Sequence, residues 1–233
     1  MKKLIKKYSH LWTTAYVLIY MPWFMWLERT ITPSSEFHNM YVPFDDMIPF
    51  NEWFVIPYLL WFLYVPVVMG FLALKSREEY YNASIYLFGG MTICLFICTV
   101  WPNGQTLRIE DLDINKNILT KAVGLIYHAD TNTNVFPSIH SFNSVAVFMM
   151  LFKSRFLTGK ARKPVLMCSG ILSGLIVIST LVLKQHSVLD AIGGVGLAFI
   201  MYSLVYMVNW KSIFANDKKK NKTSDNKATG QFM

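Results

Sequence analysis

Leu183-Lys-Gln-His-Ser-Val-Leu-Asp-Ala-Ile-Gly-Gly194 opens an apolar run that continues to Trp210. From Val188 onward the run is long enough for a membrane-crossing helix, since about 20 apolar residues cover a hydrocarbon core of roughly 30 Å. Its beginning is polar, and polar groups in such a helix are expensive: an ionised Asp at a helix centre costs roughly 2.5–3.5 kcal/mol. His186 and Asp190 are four residues apart, which sets them one turn from each other on one helix face. An Asp so placed accepts a hydrogen bond from one ring nitrogen of the His. The tautomer is then fixed, and the other nitrogen is left free as base or nucleophile.

Five more apolar runs lie upstream, at residues 11–26, 53–74, 81–101, 141–152 and 164–183. The run at 141–152 reaches spanning length if it begins near Phe136. The first run follows Lys2, Lys3, Lys6 and Lys7 but offers no small-residue cleavage site, so it reads as an uncleaved span rather than a signal peptide. The expected fold is all-α: an integral membrane bundle of six helices over residues 1–210, then a basic disordered tail over residues 211–233. Composition points the same way. Of 233 residues, 54% are hydrophobic and 15% are charged, against about 25% charged in an ordinary soluble domain. That excludes a soluble globular enzyme, which needs more polar sequence to cover its surface. Cys94 and Cys98 sit inside an apolar run and read as core packing; three cysteines make no disulfide framework.

The net charge of +8 serves orientation rather than nucleic-acid binding. Lysines gather at the N-terminus, in the short loop holding Lys153, Arg155, Lys160, Arg162 and Lys163, and in the tail from Lys211 to Lys227. Residues 28–52 carry one Arg against five acids, and residues 102–137 carry three basic residues against four acids. The positive-inside rule then puts both termini in the cytoplasm and the 102–137 loop and the turn at Gln185 outside. Between the first two spans, residues 40–50 alternate apolar and acidic positions around two prolines. They are too short to span and fit an interfacial segment over the outer mouth.

Two more polar groups fall on that outer side. In Phe136-Pro-Ser-Ile-His-Ser-Phe-Asn143, Pro137 suits a first helical turn, Ser138 and the free amides behind it make an anion seat, and His140 lies in the same turn. In Val100-Trp-Pro-Asn-Gly-Gln-Thr-Leu-Arg108, Arg108 offers a bidentate fork to phosphate oxygens. Two histidines, an aspartate, an arginine and a helix N-terminus at one membrane face describe phosphoryl transfer. One His attacks phosphorus, the other protonates the leaving oxygen, and donors hold the equatorial oxygens. His38 and His128 read as loop residues.

Pro137-Ser-Ile-His140 and His186-x-x-x-Asp190 resemble the second and third signature motifs of the type-2 phosphatidic acid phosphatase superfamily, and Arg108 resembles the arginine of the first. The resemblance covers roughly residues 40–205. It implies a six-helix membrane enzyme without metal or other cofactor, acting on a lipid phosphate. It also implies that His186 is the nucleophile, Asp190 its orienting partner and His140 the general acid. Arg108, Ser138 and the Ile139 amide would bind phosphate. The implied place is the plasma membrane, multi-pass, with an extracytoplasmic site.

The chain departs from the motifs at four positions. Trp101 stands where the first motif has a Lys and Ile109 where it has a Pro, and Thr180 stands where the third has an Arg. Ile139 stands where the second has a Gly. Lys184 is the available replacement cation. The bulky Ile139, with Pro49-Phe50 and Pro57-Tyr58, is similar to the branch containing inositol-phosphorylceramide and sphingomyelin synthases. The first expectation is therefore a lipid-phosphate phosphatase. A phosphotransferase moving a headgroup between lipids is the alternative, followed by a non-catalytic lipid-binding or transport protein.

Overall fold

A computed structural model describes residues 8–208. Lys2, Lys3, Lys6, Lys7 and the basic tail at 211–233 lie outside the described residues. A 3-10 turn, Ser9–Tyr16, leads into α1 (Val17–Thr30). Then come β1 (His38–Asn39), short 3-10 turns at Pro43–Met47 and Glu52–Phe54, α2 (Val55–Lys75) and α3 (Arg77–Val100). After β2 (Asn103–Gly104) follow α4 (Ile118–Ala129), α5 (Ile139–Lys153), α6 (Arg162–Val182) and α7 (Val188–Tyr202). Among the described residues the elements are helical apart from one small parallel ribbon, in which His38 pairs with Asn103 and Asn39 with Gly104, and a single antiparallel bridge from Gly104 to Thr133.

Local chemistry sets the helix ends. Ser76 Oγ accepts from the Glu79 N–H and starts α3, where Glu78 and Glu79 occupy the positive first turn. Ser138 caps α5 through the Ser141 N–H. At α7 the Ser187 hydroxyl accepts from the Leu189 N–H, and the Asp190 carboxylate accepts from the Ser187 N–H in return.

Four helical segments are long and apolar enough to cross a membrane: Glu52–Lys75, Arg77–Val100, Gly159–Val182 and Val188–Met207. Phe62, Leu63, Ile85, Phe96, Ile192 and Ile200 stand exposed on their outer faces, a surface suited to lipid rather than water. These segments mark a multi-pass membrane protein. The expectation of six long spans is thus met by four among the described residues. α5 has 15 residues, about 22 Å at 1.5 Å per residue, which is short of a hydrocarbon core. Its role is central instead. Phe142, Ala146, Val147 and Met150 of α5 are buried in one cluster with Val68 and Leu72 of α2, Tyr86 and Leu87 of α3, Ile176 of α6, and Ala198 of α7.

The 102–137 segment, expected as a loop, holds α4. Asn117 caps it, accepting from the N–H groups of Leu119 and Thr120, and Val123 buries itself against Val55, Tyr58 and Leu183. At 12 residues with flanking asparagines, α4 is a local structure that a search for spans passes over.

The loop from Lys153 to Arg162 and the turn at Ser76 share one end of the bundle. There Ser154 Oγ donates to Glu79 and the Arg155 guanidinium donates to Glu78. The starts of α5 and α7 share the other end.

Candidate active site

The site end is built on the turn 183–187. The N–H groups of Gln185 and His186 both donate to the Thr180 carbonyl, at 2.9 and 3.1 Å, and close the turn onto α6. Lys184 adopts φ 54°, a left-handed conformation that a side chain enters only when the surroundings hold it. Those surroundings are numerous. Tyr127 Oη donates to the Leu183 carbonyl at 2.9 Å, and Gln105 Nε2 donates to the carbonyls of Lys184 and Gln185 at 3.0 and 3.3 Å. Lys184 Nζ donates to the Asp45 carbonyl at 2.7 Å. Asp45 is 1% exposed. Its carboxylate accepts from the N–H of Val188 at 2.8 Å and of Val42 at 2.9 Å. The 40–50 segment is therefore fastened to the start of α7 by a buried acid.

On this turn His186 Nδ1 lies 3.5 Å from Asp190 Oδ2. That is long for a hydrogen bond, though such contacts tighten in complexes. Asp190 is fully buried, and its carbonyl accepts from the Ser138 N–H at 3.0 Å. This bond ties the two helix starts together and carries the second candidate motif to the third. The peptide bond between Phe136 and Pro137 is cis. His140, in the first turn of α5, stands with its ring centroid 5.7 Å from that of His186. Tyr58 and Trp61 of α2 flank it at 4.8 and 4.5 Å. Two histidines from separate helix starts thus face each other, one backed by an aspartate and the other held between aromatic rings.

The approach of α7 to the Ser138 turn needs glycine. A Cβ on Gly194 would lie 2.4 Å from the Ser138 carbonyl and 3.0 Å from the Phe142 nitrogen, both backbone atoms that cannot swing away. Gly194→Ala should therefore part α5 from α7. We expect a stability loss of about 1–3 kcal/mol, read from melting of the purified protein; an unchanged melting curve would contradict the packing described.

Residues 101–214 match the family model of the PAP2 superfamily. That segment belongs to the PAP2 superfamily. Comparison of the chain with curated proteins and with solved structures returned no significant match. The superfamily suggests a phosphatase or phosphotransferase acting on lipid phosphates. The matched segment contains His140, His186, Asp190, Arg108, Ser138, Ile139 and Lys184, and stops short of Asp45 and the aromatic rings on α2.

The phosphate-binding candidates are placed unevenly around the turn. Arg108 sits beside the turn, but its fork is engaged. Nη1 donates to the carbonyls of Tyr127 and Asp130 at 2.9 and 2.7 Å. Nη2 donates to the Thr131 carbonyl and to Gln185 Oε1, both at 2.8 Å. Burial and the nearby Glu28 carboxylate push the Asp130 carboxyl up to about 6. Ser138 is fully buried, and Ile139 packs with Leu95 and Cys98 of α3. Lys184 spends its ammonium on Asp45. Neither departure position regains a cation: Trp101 stacks on His38 at 5.0 Å, and buried Thr180 lends its carbonyl to the turn.

Several residues around the site escaped sequence reasoning. Asp45, Gln105, Tyr127 and Gln185 hold the turn, and Tyr58 and Trp61 hold His140. Gln185 carried the one available signal, being a polar residue directly before His186 at a membrane-helix start. The others act across long stretches of chain, and no local pattern marks them.

Proposed function

We propose that this protein is a lipid-phosphate phosphatase working through a phosphohistidine. The observation that supports it is the facing pair His140 and His186, with Asp190 behind His186. In this reading Asp190 holds Nδ1 of His186, and Nε2 attacks the phosphorus of a lipid phosphomonoester. The bond to the lipid oxygen breaks as His140 gives that oxygen a proton. Water then attacks the phosphohistidine and gives its proton to His140. Inorganic phosphate leaves, and His186 is restored. Ser138, the Ile139 amide, Arg108 and Lys184 are the proposed phosphate-side groups.

The further parts of the proposal concern placement. Residues 1–210 form one catalytic membrane domain of six spans, with α1 and α5 counted beside the four long segments, and residues 211–233 form a basic cytoplasmic tail. Both termini are cytoplasmic, because the lysine-rich loop and the site lie at opposite ends of the bundle. The site then opens on the outer face of the plasma membrane, with residues 40–50 lying across it.

Purified protein is expected to release inorganic phosphate from a panel of phosphatidic acid, phosphatidylglycerophosphate and polyprenyl phosphate, with or without EDTA. Loss of activity with EDTA would overturn the metal-free mechanism. One observation favours a second reading, transfer of a phospho-headgroup to a lipid alcohol. The positions at Trp101 and Thr180 hold no cation, and a diester carries less negative charge than a monoester. A headgroup appearing on added diacylglycerol, without free phosphate, decides for transfer.

A further inference from the structure

The amide of Gln185 is 3% exposed, and its two ends are treated differently. Oε1 accepts from the Arg108 guanidinium at 2.8 Å. A charged donor at that oxygen fixes which end is which, since the amide nitrogen has no acceptor to offer. Nε2 is buried and has no hydrogen-bond partner among the described residues. The same holds for Nε of Arg108, the one nitrogen of that guanidinium not engaged by a carbonyl or by Gln185. Two donors on two touching side chains are thus buried without acceptors, one in the turn that carries His186 and one on the Arg108 side chain that reaches it. A buried donor left unmade costs about 1–3 kcal/mol, and a fold does not carry two of them side by side without use.

Chemistry narrows what meets them. Both atoms are donors only, one belongs to a cation and the other is polarised by it, so the partner is an anionic acceptor. Gln185 directly precedes His186, the residue proposed to attack phosphorus. A tetrahedral oxyanion fits that description.

We propose that Gln185 Nε2 binds a phosphoryl oxygen of the substrate, and that Arg108 acts on phosphate chiefly through Gln185 by holding its amide in that orientation. The amide then supplies, at the third motif, the donor that Thr180 does not. This rests on the phosphoryl-transfer reading above. Gln185 is a phosphate-binding residue, and Arg108 is in the main its positioning residue.

Gln185→Glu separates this from a purely structural role. The glutamate keeps an oxygen for Arg108 and strengthens that contact, but it replaces the buried, unengaged donor with a negative oxygen. We expect a melting temperature equal to or above that of the unchanged protein. We also expect kcat/KM on the phosphate-lipid panel to fall tenfold or more, and inhibition by orthovanadate to weaken tenfold or more. A smaller loss in both overturns the proposal, because a mere strut for Arg108 tolerates Glu. Should the Glu variant not fold, Gln185→Met is read against the same tenfold limit. Failure of the underlying reading looks different: the unchanged protein shows no phosphate release or transfer, or His186→Ala matches it.

Discussion

His186→Ala is expected to lose phosphate release by at least about 10⁴-fold, and His140→Ala to lose about 10²–10⁴-fold with a signature of its own. The two differ because a nucleophile and a proton donor fail differently. In the proposed mechanism no atom receives the phosphoryl group once His186 is gone, so no change of substrate restores turnover. Without His140 the phosphoryl group still has its acceptor, but the departing oxygen lacks its proton donor and the attacking water its base. A substrate whose leaving group is already acidic, such as a nitrophenyl phosphate, needs the donor less, while hydrolysis of the phosphohistidine stays slow. His140→Ala should then release a rapid burst of nitrophenol followed by slow turnover, whereas His186→Ala shows neither. Pre-steady-state release from the nitrophenyl ester, set beside single-turnover rates on a lipid phosphate, checks this. An equal loss in the first step on the two substrates in His140→Ala would remove His140 from the acid role.

The largest stability effect is expected at Asp45. Its carboxylate accepts from two backbone N–H groups, Val188 at the start of α7 and Val42 in the segment above, and the side chain is almost wholly enclosed. Asp45→Ala strips both acceptors from two part-buried donors, each costing up to about 1–3 kcal/mol. The sum is a loss of up to about 2–6 kcal/mol, enough to threaten folding outright. Asp45→Asn keeps one oxygen and should cost less than half as much. Melting of the two variants in one detergent checks the order. The activity of Asp45→Asn checks whether the 40–50 segment must be fastened for turnover.

Much of this was legible in the chain itself, for identifiable reasons. The long segments at α2, α3, α6 and α7 follow from hydropathy, because in a bilayer length and apolarity are nearly the whole requirement. His186 and Asp190 were legible as a pair because helical spacing brings residues four apart together wherever the helix goes. His140 was legible through its Pro-Ser-Ile-His setting. What escaped depends on distance along the chain. The bond from Val188 to Asp45 crosses 143 positions, and that from Gln105 to Lys184 crosses 79. No periodicity spans such gaps. Arg108 illustrates a different limit. Its residue type and place near the site were plain from sequence. Its partners were not, because they are backbone carbonyls of Tyr127, Asp130 and Thr131, and carbonyls look alike in every sequence. α4 was hidden by its shortness, although Asn117 marks its start.

The shortness of α5 also sets a depth. Ile139, next to His140, packs against the cluster of Leu27, Ile31, Leu95 and Cys98, beside the last turns of α3, which runs on to Val100. On the phosphoryl-transfer reading, a lipid must bring its phosphate to the level of those last turns, by sinking toward the acyl region or where the leaflet thins around the protein. Both cost more as the bilayer thickens. On that reading turnover falls in thicker bilayers, and the surrounding leaflet filters substrates beside the headgroup chemistry.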